Sequence, residues 1–313
     1  MTQHICQSVT VQACPNCGRQ DIRPFLSCQH KGQALVYASC RFCGLVFQNP
    51  TSTSAEWADF YANHYRRIYN EQEQPTSEEA LRQQQRAEVY RGFLEGQALQ
   101  SVSSHLDVGC SMGVFLQSLK KHWQIGCSVG VEPGKAFRQH CVSQGLRCYD
   151  SIESLPVGER FELISLCHVL EHTTNPVEFL RNLVQTRLAG GGRIFIEVPN
   201  VRGGVPMEIA HPFCFSQKTL NDTLALAGLE AISVHLHGRP KTDSPYDQRY
   251  IAVIARASGA VKSAADIEAV SLGYHLSAKL AMWRGLAHEP WWLFALKYPI
   301  RVLKHGFFPT IES

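Results

Sequence analysis

Two sets of residues in this chain have the types and spacing to do chemistry. The first is a pair of Cys-x-x-Cys knuckles, Cys14-Pro15-Asn16-Cys17-Gly18 and Cys40-Arg41-Phe42-Cys43-Gly44. Each knuckle sets two sulfurs across a tight turn with a glycine behind it, and four thiolates suit a tetrahedral Zn2+. Four protein ligands leave no open position for a reaction, so Cys14, Cys17, Cys40 and Cys43 are read as holding a structural ion. A redox pair or an iron–sulfur centre is the alternative, and two symmetric knuckles outside a thioredoxin-like context speak against both. Cys28 and His30 are spare ligands read as bystanders.

The second set is Leu106-Asp107-Val108-Gly109-Cys110-Ser111-Met112-Gly113. A short apolar run ends in a turn bracketed by glycines, and the pattern over 114–119 predicts a helix. Such a turn lets backbone approach a ligand closely and aims amide N–H groups at an anionic part of it. A second strand over 125–131 ends in Glu132. A carboxylate at the end of the second strand of an α/β unit is placed to accept hydrogen bonds from ribose hydroxyls. The turn and the acid together predict a nucleotide-binding pocket, against the plainer reading of an ordinary βαβ turn.

The elements around these residues follow from periodicity. Between the knuckles, Phe25, Leu26 and Leu35-Val36-Tyr37 read as a small β-ribbon that needs its metal to hold together. Over 51–100 the chain is polar and helical in pattern. There Tyr61, Tyr65 and Tyr69 share one helix face, which either packs on the main domain or covers the pocket as a lid. Thr76 or Ser77 would cap a helix over 81–94. Helices are then expected over 135–143, 177–188 and 217–227, and strands over 146–149, 161–166, 193–198, 231–236 and 250–255. Gly190-Gly191-Gly192 is read as a turn. This alternation predicts an α/β, doubly wound, Rossmann-like domain with a mainly parallel sheet covered on both faces. The organisation is thus a ribbon (1–50), a helical connector (51–100), a cofactor-binding domain (101–257) and a helical tail (258–313).

Composition narrows the function classes. A length of 313 residues suggests about two domains, and 44% hydrophobic with 18% charged residues is the balance of a soluble globular protein. A net charge of +3 is too small to argue for nucleic acid. Residues 1–10 lack the apolar core of a signal peptide, and no apolar run is long enough to span a bilayer. Twelve cysteines, four of them in knuckles and others inside apparent core elements, favour a reducing cytoplasm. In the tail, 267–286 reads as one helix. Trp291, Trp292 and Phe294 alternate there with Lys297, Arg301 and Lys304, which suits packing on the main domain or a weak contact with a membrane surface.

Residues 101–257 resemble the class I S-adenosylmethionine-dependent methyltransferases, in a seven-stranded version of the expected fold. Leu106–Gly113 matches the glycine-rich first motif of that family and Gly130-Val131-Glu132-Pro133-Gly134 its acidic second motif. Phe161-Glu162-Leu163-Ile164 through His168-Val169-Leu170-Glu171-His172 matches the fourth-strand motif of a large subgroup, and Gly190–Pro199 its fifth strand. Ser111 stands where the motif usually has glycine, and Glu132 where aspartate is commoner. A dehydrogenase fingerprint is absent, since positions 109, 111 and 114 are Gly, Ser and Val. The chain is also similar in organisation to sugar C-methyltransferases with an N-terminal cysteine-knuckle domain, although their further C-terminal domain has no counterpart in 258–313.

The resemblance implies roles for individual residues. It puts Asp107, Gly109, Cys110, Ser111 and Gly113 around the methionine moiety, Glu132 on the ribose, Asp150 and Ser151 near the adenine, and Cys167 with His168 at the methionine end. A hydroxyl or carbon acceptor also needs a base, and histidine suits. His211, in Glu208-Ile209-Ala210-His211-Pro212-Phe213-Cys214-Phe215-Ser216, is favoured over His172, with His168 read as a wall residue and Glu208 and Tyr65 as lesser candidates. The sequence has no Asn-Pro-Pro-Tyr or Pro-Pro-Cys motif, which lowers the nucleic-acid reading. The expected partner is therefore a small-molecule acceptor, a sugar, glycan or related metabolite. An RNA or protein methylase docking through the ribbon, and a non-catalytic cofactor-binding protein, are the alternatives.

Overall fold

The computed structural model describes residues 6–70, 74–203, 207–239, 248–287 and 310–311. The chain opens with β1 (Ile22–His30), β2 (Gln33–Cys40) and β3 (Val46–Gln48). The connector follows as α1 (Ser54–Asp59), a π-helical turn (Phe60–His64), α2 (Tyr65–Asn70) and α3 (Ser77–Glu95). The α/β unit then runs β4 (Ser104–Val108), α4 (Val114–Trp123), β5 (Cys127–Val131), α5 (Lys135–Ser143), β6 (Arg147–Tyr149), β7 (Phe161–Cys167), α6 (Pro176–Thr186) and β8 (Leu188–Pro199). It finishes with β9 (Phe213–Cys214), α7 (Gln217–Leu226), β10 (Leu229–His237) and β11 (Tyr250–Ala257), before α8 (Leu272–Ala287) and β12 (Thr310–Ile311).

Seven strands form one sheet in the order β10-β11-β8-β7-β4-β5-β6. All pairs are parallel except those of β11, which lies antiparallel to both β8 and β10. The doubly wound, mainly parallel expectation holds. The central strand β7 reads Phe-Glu-Leu-Ile-Ser-Leu-Cys, and five of its seven side chains are fully buried, as a strand covered on both faces requires. Helix starts are set by local chemistry. Thr76 caps α3 by accepting from Glu79 N, Asn175 caps α6 with Pro176 at the first helical position, and Ser216 and Thr219 form a capping box on α7.

Three local expectations are corrected. Gly190–Gly192 does not form a free turn. It lies inside β8, with Gly191 at φ 76°, where the register against β7 shifts between Phe161 and Leu163; the glycines make a bulge rather than a loop. The helix expected over 177–188 stops at Thr186, because Leu188 already pairs with Phe161. The tail helix starts only at Leu272, since Val270 N donates to the Phe42 carbonyl and keeps that stretch extended across the ribbon. The aromatic–basic segment 290–304 lies outside the described residues. No described helix is long and apolar enough to cross a membrane.

A second sheet, ordered β12-β1-β2-β3-β9, contains the ribbon. Its last strand comes from the segment after β8, so ribbon and α/β unit share backbone hydrogen bonds through Val46–Cys214 and Phe47–Phe213. A core of Phe25, Leu26, Leu35, Tyr37, Trp57, Phe60, Met207 and Ile209 joins ribbon, connector and that segment. Burying a side chain such as Phe60 stabilises this junction by about 1.5–3 kcal/mol.

Candidate functional site

The sheet order reverses between β4 and β7, and a cavity of about 620 Å3 opens at the carboxyl ends of β4, β5 and β7, where α/β sheets bind ligands. Asp107, Gly109, Cys110, Ser111, Glu132, Asp150, Ser151, Cys167, His168 and His172 all line it. Gly113 does not. It packs against Leu146 and Cys141 at φ 72°, behind the turn it closes. His211 and Glu208 are also outside the lining, and His211 meets the wall through its ring contact with His172 at 5.0 Å.

The glycine-rich turn works differently from expectation. Gly109 N and Cys110 N both donate to the Val131 carbonyl, Gly113 N to the Cys110 carbonyl, and Ser111 N to Glu132 Oε2 at 3.0 Å. These amides are used within the protein, so they do not form a cradle for an anion. The turn instead offers space. A Cβ on Gly109 would sit 2.6 Å from Val169 Cγ2, and Ser111 adopts φ 52° to keep the backbone close.

Acidic groups mark this end of the cavity. Glu132 Oε1 accepts from Gly134 N at 2.9 Å, and Oε2 takes both Ser111 N and Arg66 Nη2, the latter at 3.3 Å. Arg66 also donates to Ser111 Oγ and lies over the Phe137 ring, so the connector reaches across the carboxylate predicted to face a ribose. Asp107 accepts from Ser165 Oγ at 2.5 Å, and Ser165 in turn bonds His105 Nε2 at 2.7 Å. Burial pushes the Asp107 carboxyl up to about 7 despite that hydrogen bond, so an arriving cationic group would favour its ionised form.

The other end is made of aromatic and imidazole groups. Tyr61, Tyr65 and Tyr69 line the cavity and pack on the core shared by ribbon, connector and the segment after β8, rather than on the core of the α/β unit. His172 lies edge-on to the rings of Tyr61 and Tyr65 and donates its Nδ1 proton to the Ala210 carbonyl at 2.7 Å. Burial lowers both His172 and His211 to about 4, which leaves the two imidazoles uncharged near neutral pH. Glu208 Oε2 is 3.9 Å from His211 Nε2.

Beneath them runs a buried ionic chain that the sequence reading missed. His168, at φ 56°, contacts Glu171 Oε1 at 3.2 Å and Glu197 Oε1 at 2.9 Å. Glu197 also takes His237 at 2.7 Å and the Tyr90 hydroxyl at 2.6 Å. Burial and Arg86 oppose a charge on His168, yet the two carboxylates outweigh them and push it up to about 9. The sequence did carry a signal: Glu197 is a charged residue in an otherwise apolar strand, and a buried acid needs a partner.

The N-terminal cysteines form a separate cluster. Cys14, Cys17, Cys40 and Cys43 are buried and bring four sulfurs within 4.8 Å of one another, with Cys14–Cys43 and Cys17–Cys40 each at 3.5 Å. Sulfurs about 2.3 Å from a tetrahedral ion stand about 3.8 Å apart, so the donor set fits Zn2+. Cys28 and His30 are not part of it. Cys28 sits in the ribbon core and His30 Nδ1 accepts from Ile209 N.

Residues 81–234 match the family model described as "Methyltransferase domain". This segment is similar to methyltransferase domains. It contains the glycine-rich turn, Glu132 and the Glu171–His172 pair, and its sheet has the class I methyltransferase fold. No curated protein matches the chain. Among solved structures, it is similar to the 1,6-didemethyltoxoflavin-N1-methyltransferase of Burkholderia thailandensis at 17% identity, covering 68% of this chain and 96% of that one with a TM-score of 0.48. The CcbJ methyltransferase of Streptomyces caelestis is 14% identical over 64% of this chain and 98% of its own, with a TM-score of 0.46. An S-adenosylmethionine-dependent methyltransferase from Archaeoglobus fulgidus is 20% identical over 54% and 93%, with a TM-score of 0.43. Likenesses this distant say nothing about what the matched segment acts on. Its boundaries exclude the ribbon, the π-helical turn that supplies Tyr61 and α2, which supplies Tyr65, Arg66 and Tyr69.

Proposed function

We propose that this chain transfers the methyl group of S-adenosylmethionine to a hydroxyl of a small polar acceptor, a sugar, glycan or related metabolite. The observation that carries the proposal is one cavity with two chemically distinct ends. Glu132 and Asp107 flank the glycine-rich turn at one, and the uncharged His172 imidazole, backed by His211, stands with three tyrosines at the other. A volume of about 620 Å3 lies within the usual range for small-molecule sites. When bound, S-adenosylmethionine supplies an activated methyl on a positively charged sulfur.

The protein's task is then to hold and orient. Glu132 receives the ribose hydroxyls once Arg66 turns aside, Asp107 faces the cationic amino-acid end, and Asp150 with Ser151 border the base. His168 keeps the floor rigid through Glu171 and Glu197. The acceptor's proton is the business of the Glu171–His172–His211 cluster, with Glu208 beside it. His211 is the favoured member, because it sits in the loop after the fifth strand of the domain. Tyrosine hydroxyls and the apolar ring faces around His172 suit a sugar better than a nucleic-acid strand. A structural Zn2+ in Cys14, Cys17, Cys40 and Cys43, in a cytoplasmic protein, completes the proposal.

Calorimetry with S-adenosylmethionine tests the cofactor, and a screen of nucleotide-sugars and glycans for methyl transfer tests the acceptor. Binding plus methylation of a small polyol is expected. Methylation of transcripts or ribosomal RNA with no small molecule modified would overturn the acceptor class, and absence of binding would overturn the whole reading.

A further inference from the structure

The cluster beside the acceptor end has the make-up of a cation site. Glu171, His172 and His211 each bring one ligand atom to within 4.8 Å of the others. Glu171 is 1% exposed; its Oε1 contacts His168, while its Oε2 is buried with no hydrogen-bond partner. A buried carboxylate oxygen in that state is costly, and a bound ion is one of the few things that satisfies it.

The imidazoles are prepared as well. His172 donates Nδ1–H to the Ala210 carbonyl, which fixes the tautomer and leaves the Nε2 lone pair available, the arrangement by which a backbone carbonyl orients a metal-ligating histidine.

We propose that Glu171, His172 and His211 hold a first-row divalent transition cation whose remaining positions face the acceptor. Two nitrogens and one carboxylate select such cations over Mg2+ and Ca2+, which prefer oxygen alone. The inference rests on the methyl-transfer reading and deepens it: the acceptor is a hydroxyl, or a pair of neighbouring hydroxyls, coordinated by the ion. Coordination lowers the hydroxyl's pKa, and the proton passes to Glu208, which borders solvent. The hydroxyl oxygen then forms a bond to the methyl carbon while the carbon–sulfur bond breaks, its electron pair staying on sulfur as the neutral thioether. In this refinement His211 promotes proton loss as a ligand rather than as the base itself, and His172 ligates beside it.

The full-length chain, with its four-cysteine site loaded with zinc, is titrated with Co2+ by calorimetry and visible absorption in the absence of cofactor. One further equivalent is expected, without sulfur-to-cobalt charge transfer. Glu171→Gln, His172→Asn and His211→Asn should each weaken it by about 100-fold and keep S-adenosylmethionine binding. No further equivalent in the unmodified chain, or unchanged affinity in all three variants, overturns the proposal. Cofactor binding is read separately: a chain that binds S-adenosylmethionine but no Co2+ loses this inference alone, and one that binds Co2+ but no S-adenosylmethionine loses the methyl-transfer reading.

Discussion

The two ends of the cavity are built on opposite plans. The cofactor end comes from consecutive residues at the carboxyl ends of β4 and β5, held by backbone hydrogen bonds such as those of Gly109 and Cys110 to Val131. The acceptor end is a convergence of side chains from the connector, the short turn at Leu170–His172 and the segment before β9. A contiguous turn survives many changes elsewhere in the chain. A convergent cluster depends on every element that delivers a member, so it is the end that can be lost without losing the fold.

Removing the four-cysteine site should give the largest effect and separate the ends most sharply. Cys40→Ser with Cys43→Ser is expected to abolish turnover, because the proposed Zn2+ would be lost and the ribbon's knuckles with it. Zinc content and turnover, measured beside S-adenosylmethionine binding, check this; full activity without bound metal would refute it. Next comes His211→Ala, expected to cut turnover by about 10²–10⁴-fold and leave cofactor affinity unchanged in calorimetry. Equal loss of both would mean that the two ends are not separable. Glu132→Ala acts at the opposite end and should weaken cofactor binding by about 1.5–3 kcal/mol, and the melting temperature should fall with it, because Gly134 N, Ser111 N and Arg66 lose their acceptor.

The smallest effect is on pH dependence. His172 and His211 have pKa values lowered to about 4 by burial, so between about 4 and the unfolded value near 6.5 the unfolded chain binds more protons, and stability rises with pH. His168, raised to about 9 by its carboxylate partners against burial, works the other way, since the folded chain holds its proton longer and stability falls between about 6.5 and 9. Asp107, raised to about 7 by burial, opposes the histidines on the acid side but is a single group. A melting-temperature maximum near pH 6.5 is expected, and His168→Gln should flatten its alkaline limb.

The same contrast explains what the sequence allowed. The turn from Asp107 to Gly113 and Glu132 could be recognised because each motif is local and its strand and helix follow from periodicity. What the turn's amides do was misjudged, since only the structure places the Val131 carbonyl where Gly109 and Cys110 reach it. At the acceptor end the histidines could be named but not brought together, because His172 and His211 meet only through the packing of the chain between them. Arg66 was hidden beside a tyrosine stripe that drew the reading to packing, and Glu197 with His237 are joined across two strands, a distance no local pattern spans.

The loop that carries Glu208 and His211 is not held by the α/β unit alone. The buried Tyr37 hydroxyl lies 2.8 Å from the carbonyl oxygens of both residues, and Gln48 Nε2 donates to the carbonyls of Glu208, Ile209 and His211. The ribbon is therefore a mould for the loop. Exchanging it, or substituting Tyr37 and Gln48, would reshape that loop while the turn at Gly109 stayed as it was, so a module remote from the glycine-rich turn governs the end of the cavity assigned to the proposed acceptor.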